Sequence, residues 1–479
     1  MKESRHFYSS LGLLLLLNIL IKPVWIFGID RQVQNVVGFS VYGTYFSLLN
    51  FSIVFSFLLD WGFTGFFNRQ LAAQRDGFDA IAGKFIYIKL LFVLLYAATV
   101  ILAGWLTGVD HWEILIAVII IQSLTSLFVF LRGIITAKQW FRTDAWLSVL
   151  DKGLMIVLFS GFFLWPAFTG SMTIYSFLWI QVLCSAAAVL TAAVLVLRKA
   201  GLFTIKSPVI NQTIFRQAIP FALIVLLMSA HYRLDGFLLE RMHPDGAWQA
   251  GVYASAYRLL DAGNMIGYLT ASFLLPFVAR HQNNGPMTEA VTNNSRHLLL
   301  VFSIAASVTV FFQADFVQAV LYHSADPYVS TVLQWCLPAL IGYSLVQVYG
   351  TVMTATGNIV SFCAIVLAAL LLNVLLNVLL IPSLGAKGCC IAAVISHGLC
   401  GIACMLFTSQ KSRLSLNLRS LLIYTFIAAA LAGYFYAGKR ADLNEWILLA
   451  GSLVIVIALA MITGLFSIRK WKLYLEQNQ

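Results

Sequence analysis

Apolar runs of about twenty residues follow one another along nearly the whole chain, separated only by short polar breaks. A helix needs a run of that length to cross the hydrocarbon core of a bilayer, where every backbone N–H and C=O must be satisfied within the segment. Uninterrupted apolar windows place fourteen spans, at residues 9–29, 38–60, 84–107, 112–134, 145–168, 172–197, 216–240, 249–279, 297–322, 328–353, 358–382, 387–408, 418–438 and 444–468. Only 10% of the residues are charged, against roughly 25% in soluble domains, so the chain cannot cover a water-facing surface. The fold class that follows is all-α and integral to the membrane. The first run, 10–27, has the length of a signal peptide. Lys22-Pro23 interrupts it, no small-residue cleavage site follows, and equivalent runs continue, so it reads as a retained helix.

Lysines and arginines alternate between the connections. One set holds 20 of them, from Lys2 and Arg5 through Arg132, Lys138 and Arg142, Arg280 and Arg296, to Lys472. The other set holds five: Arg31, Arg241, Lys387, Lys439 and Arg440. Cytoplasmic connections carry the positive excess, so both termini are expected inside. Topology therefore explains the net charge of +11 without nucleic acid, and the same residues suit anionic lipid head groups. The outer connections are too short for a folded domain. The longest connection, 61–83, is cytoplasmic, and a short interfacial helix is expected near Phe66 to Ala73. All seven cysteines fall in or at the ends of apolar runs, without CxxC or metal-ligand spacing; Cys400 and Cys404, at i,i+4, read as packing residues.

Spans 2 and 8 align without gaps at an offset of 211: Tyr42 with Tyr253, Phe66 with Phe277, Arg69 with Arg280. Both enter from outside on a Val-Tyr pair and leave inside at an arginine, which fits a repeat of six helices. The expected organisation is a six-helix lobe over 1–200, a second over 201–410, and an appended helix pair with a tail over 411–479.

The run from Asn373 to Ala392, NVLLNVLLIPSLGAKGCCIA, resembles the helix 11–12 signature of the polysaccharide (O-antigen, Wzx-type) flippases. These belong to the MOP superfamily, with the MATE multidrug exporters and the lipid II flippase. Cys389-Cys390 stands where two alanines are usual, an exchange among small residues. Thr356-Gly357-Asn358, the Tyr42-Gly43-x-Tyr45 pattern and Val252-Tyr253-Ala254 resemble further family motifs. Read physically, Pro382 is a helix stop, Gly385 and Gly388 make a tight outer turn, and small residues at 386–393 allow close packing of span 12. The resemblance implies two pseudo-symmetric six-helix lobes around a central cavity, with helices 1, 7 and 8 lining it. It also implies a substrate, an oligosaccharide linked to an undecaprenyl-type diphosphate, and other polysaccharide-assembly membrane proteins as partners.

Chemistry is sought where charge is expensive, since an ionisable residue near the bilayer centre costs roughly 2.5–3.5 kcal/mol on insertion scales. Lys22 in span 1, Asp151 and Lys152 in span 5, His231, Arg233 and Asp235 in span 7, and Arg258 and Asp261 in span 8 qualify. Lys22, Arg233, Arg258 and Lys152 are the candidate cavity residues for a diphosphate, because cations in a low-dielectric site suit phosphate oxygens. Asp235, Asp261, Asp151 and His231 are candidates for ion coupling, to H⁺ or Na⁺, or for neutralising neighbours at i,i+3 or i,i+4. Asp151 and Lys152 are adjacent and are expected to point apart. Lys89, one turn inside span 3, is expected to snorkel to the inner surface. No cofactor motif and no HExxH, GxSxG or P-loop occurs, and His323 with Asp326 reads as an ordinary turn before Pro327. A membrane glycosyltransferase or polymerase would need sizeable outer loops for its acid–base groups. A multidrug exporter would carry an acid in span 1, where Lys22 stands. A lipid II flippase shares the chemistry and stays open at this point.

Overall fold

A computed structural model describes residues 2–61, 78–164, 172–200, 212–281, 284–324, 326–412, 418–463 and 465. Among them every regular element is a helix. In chain order these are α1 Lys2–Pro23, a π-helical segment Val24–Asp30, α2 Arg31–Val54, α3 Phe57–Asp60, α4 Phe78–Leu106, α5 Trp112–Ala137, α6 Phe141–Leu147, α7 Leu150–Leu164, α8 Ile174–Ala200 and α9 Gln212–Met242. There follow α10 Gly246–Arg280, α11 Gly285–Tyr322, α12 Pro327–Cys336, α13 Ala339–Ala355, α14 Ile359–Leu384, α15 Ala386–Ser412, α16 Leu418–Arg440 and α17 Glu445–Ile462. The interfacial helix expected near Phe66 lies outside the described residues.

Among the described residues, thirteen helical stretches are long and apolar enough to cross a membrane. The first, Gly12–Val54, has 43 residues and at 1.5 Å per residue extends roughly 65 Å, twice the hydrocarbon thickness. It contains Gly38 at φ 82°, ψ 166°, a conformation essentially confined to glycine, which separates two crossings. Counted so, the chain is a multi-pass membrane protein of fourteen spans. The connection expected at 30–37 is not a loop: helix continues through the π segment and the first turns of α2 up to Gly38. Spans 5 and 10 are each broken, the former at Ser148-Val149 and the latter at Leu337-Pro338. Pro338 explains the second break, because its ring removes one intrahelical hydrogen bond.

The chain divides into two compact units, Met1–Gly251 and Val252–Gln479. In the first, α5 packs on α8, and α9 packs on α2. The Phe237 ring stacks on Phe51 at 4.5 Å, and Gly236 lets Phe46 and Asn50 approach. The N-terminal half of α2 meets the start of α10 backbone to backbone. A Cβ on Gly43 would stand 1.9 Å from the Ala247 carbonyl, and Gln34 Nε2 donates to the Gly251 carbonyl at 2.9 Å. Tyr42, fully buried, donates its hydroxyl to Asp30 Oδ2 at 2.9 Å.

In the second unit α15 packs against α12, α13 and α14. Ala386, Cys389, Cys390, Ala392 and Ala393 are all buried, and a Cβ on Gly342 would stand 2.5 Å from the His397 carbonyl carbon. Asn373 Nδ2 donates to Ser396 Oγ at 3.2 Å, and Asn377 Nδ2 to Asn373 Oδ1 at 3.0 Å, linking α14 to α15. Pro382 does not stop its helix. α14 runs on to Leu384 and ends at Gly385, whose φ of 57° turns the chain. α11 carries the appended pair, α16 and α17, on its flank. All seven cysteines are buried and unbridged.

Candidate functional site

A group of charged side chains in the first unit lies where α1 gives way to the π segment. Pro23 lacks an N–H, so the i→i−4 ladder cannot pass through it, and the wider π turn takes over. Lys22, just before the change, is half-buried and lies within electrostatic reach of Arg132, Asp151 and Lys152. Among the described residues it makes no ion pair and no side-chain hydrogen bond. One turn earlier Asn18 donates to Ser148 Oγ at 2.8 Å, which seats α1 on the break between α6 and α7.

The neighbouring charges are paired. Lys152 Nζ lies 3.4 Å from Asp151 Oδ2 and 5.0 Å above the Trp25 ring. The expectation that these two residues point apart is thus wrong, because the flexible lysine stem folds back over its neighbour. Trp25 is itself fixed, stacked on Phe177 with centroids 6.1 Å apart. Arg132 grips Asp144 bidentately, Nε to Oδ1 at 2.7 Å and Nη2 to Oδ2 at 3.1 Å. Three cations against two carboxylates leave the cluster at +1, and the excess sits on Lys22.

Arg132 and Asp144 escaped the sequence reading. Arg132 was counted with the inner loops, yet it lies inside α5, and Asp144 is buried in α6 with its side chain 7% exposed. Lys89 is corrected as well. It does not snorkel, being 5% exposed and bonded to protein oxygens throughout.

The remaining candidates fall elsewhere. His231 and Asp235 are buried and Arg233 is half-buried, all on α9 of the first unit. Arg258 and Asp261 are half-buried on α10, in the second unit. The structure therefore brings Lys22, Asp151 and Lys152 together. His323 and Asp326 form a turn: His323 ends α11 at φ 51°, and Asp326 caps α12 by accepting from the Tyr328 amide at 2.8 Å. No three His, Cys, Asp or Glu side chains come together as a metal site among the described residues.

The second unit adds two features. An apolar cavity of about 520 Å³ runs between α11 and α17, lined by residues such as Leu298, Val301, Phe302, Leu453, Ile457 and Met461. Beside Leu298, the buried Arg296 donates to Tyr349 Oη at 3.1 Å, and His297 Nδ1 lies 2.5 Å from Tyr424 Oη, tying α11 to α13 and α16.

A family model described as polysaccharide biosynthesis protein matches residues 10–282, more than half of the chain. No curated protein matches the sequence significantly. Among solved structures, the lipid II flippase MurJ in an inward closed conformation superposes with a TM-score of 0.71 at 15% identity, covering 94% of this chain and 98% of its own. An inward-facing MATE multidrug transporter gives 0.62 at 17% identity, with 83% and 94% covered. A MOP superfamily transporter from Pyrococcus furiosus gives 0.52 at 16% identity, with 84% and 93% covered. These likenesses establish the fold. The chain belongs to the polysaccharide biosynthesis protein family and has the helical fold of the MOP superfamily of flippases and multidrug transporters.

Proposed function

We propose that this protein is a flippase. It moves an oligosaccharide linked to a polyprenyl diphosphate, such as an O-antigen, capsule or exopolysaccharide unit, from the cytoplasmic to the periplasmic leaflet of the bacterial inner membrane. Both termini lie in the cytoplasm, and the two six-helix lobes, 1–200 and 201–410, alternate access to a cavity between them. The observation that carries this reading is Lys22. It is a half-buried ammonium in an apolar span, with no ion pair among the described residues, beside two cation–carboxylate pairs that already neutralise each other. Leaving such a charge uncompensated is costly unless it has an anionic occupant for part of the cycle. A diphosphate provides one, and Arg233 on α9 and Arg258 on α10 are the further cations proposed for it. The apolar cavity between α11 and α17 suits the polyprenyl chain, whose burial needs no polar partner. Arg296 and His297, just before this cavity on α11, tie that helix to α13 and α16.

Reconstituted into liposomes, the protein is expected to move a short-chain polyprenyl-diphosphate oligosaccharide across the bilayer. An uncharged polyprenyl glycoside should not be moved. Equal transport of both would remove the basis for a cationic cavity. Rescue of cells lacking their lipid II flippase would move the substrate to the peptidoglycan precursor.

A further inference from the structure

Lys89 stands twelve residues into α4, and its ammonium is enclosed by oxygens from two other helices. It donates to the Leu59 carbonyl at 2.7 Å and to Ser126 Oγ at 2.6 Å, and Asp60 Oδ1 lies 4.0 Å away. The Phe130 ring closes one side at 6.0 Å. The residue is 5% exposed.

The backbone around these oxygens is unusual. Span 2 breaks after Val54, resumes for four residues as α3, and ends at Trp61, whose φ is 45°. The Leu59 carbonyl therefore belongs to the last turn of α3, at the negative end of that short helix. A half-helix terminus, a side-chain hydroxyl and a carboxylate are hard oxygen donors of the kind with which broken membrane helices hold monovalent cations.

We propose that the pocket between α3, α4 and α5 is a monovalent-cation site whose resident cation is the tethered ammonium of Lys89. The lysine makes the end of span 2 independent of free ions, and it acts as a positioning residue for α3. This role is separate from diphosphate binding and holds whatever the substrate is. It also predicts a latent property: shortening the side chain while leaving the oxygens in place should expose a site for Na⁺ or a small alkylammonium ion.

The test uses the full-length protein in detergent, wild type against Lys89→Ala, with thermal unfolding followed in choline chloride, sodium chloride and ethylammonium chloride at equal ionic strength. Wild type is expected to melt at one temperature in all three salts. Lys89→Ala should melt several degrees lower in choline and recover at least half of that loss in sodium or ethylammonium. Lys89→Gln, which keeps an amide donor but no charge, should be destabilised in every salt because its side chain fills the pocket. The proposal is overturned if Lys89→Ala melts with wild type in choline, or melts equally low in all three salts. If Lys89→Ala does not accumulate, Lys89→Gln decides: a wild-type melting temperature would show that hydrogen bonding, not charge, is what the pocket requires.

Discussion

Replacing Arg132 by Ala separates the contribution of the buried ion pair from that of the helix it sits on. Arg132 and Asp144 meet through two hydrogen bonds of 2.7 and 3.1 Å, with the carboxylate almost fully buried and the guanidinium 23% exposed. At an effective dielectric of about 20, two unit charges about 3 Å apart attract by roughly 5 kcal/mol. Desolvation of both groups offsets much of this, the more so because Asp144 is the deeper partner. Removing Arg132 alone leaves that carboxylate buried without its cation, and the expected loss is about 3 kcal/mol. Removing both groups in Arg132→Ala/Asp144→Ala should recover part of it, giving a coupling energy of about 2 kcal/mol. Lysine at 132 restores the charge but not the fork and should lie between. Reversible unfolding in mixed micelles, applied to all four proteins, measures each term. A coupling energy near zero, with both single variants as stable as wild type, would refute the reasoning and return Arg132 to the solvated loop in which charge counting places it.

Two further outcomes follow from the backbone and the buried amides. Gly38→Ala meets nothing within 4 Å, so its cost comes from φ alone: about 1–3 kcal/mol of stability in the same unfolding assay, while Gly12→Ala, at an ordinary helical position, should cost nothing and add up to about 1 kcal/mol. Asn373→Ala removes two hydrogen bonds between and within α14 and α15; at about 0.6 kcal/mol each in a membrane protein, the loss should be about 1 kcal/mol, and a loss above 3 kcal/mol would point to a larger role.

The fourteen spans were legible because the signal is local: the length of an apolar run decides whether a helix can cross, whatever it packs against. The repeat partners Tyr42 and Tyr253 are both fully buried, and the small residues from Ala386 to Ala393 pack as their size suggests. What escaped depends on contacts between separate elements. Arg132 stands near the end of an apolar run, and only the position of Asp144, across the turn at Lys138–Trp140, shows that it is held inside. Lys89 has a stem long enough to snorkel, yet Leu59 and Ser126 hold it in place, and neither is recognisable as a partner from the chain order. Pro382 looked like a stop because proline so often follows a helix. In the last turn it lies where the ladder continues for two residues before Gly385 turns the chain. The cluster around Lys22 is half visible in the sequence: Lys22, Asp151 and Lys152 stand out there, but not that Arg132 and Asp144 join them, nor that Lys22 alone brings no carboxylate.

The central claim is that Lys22 supplies the charge that an anionic head group answers. Translocation of a fluorescent polyprenyl-diphosphate oligosaccharide in proteoliposomes, at matched protein content, compares wild type, Lys22→Arg and Lys22→Ala. Lys22→Arg should keep most of the rate, Lys22→Ala should lose at least tenfold, about 1.4 kcal/mol or more, and neither should melt below wild type. Transport by Lys22→Ala at the wild-type rate would contradict the claim.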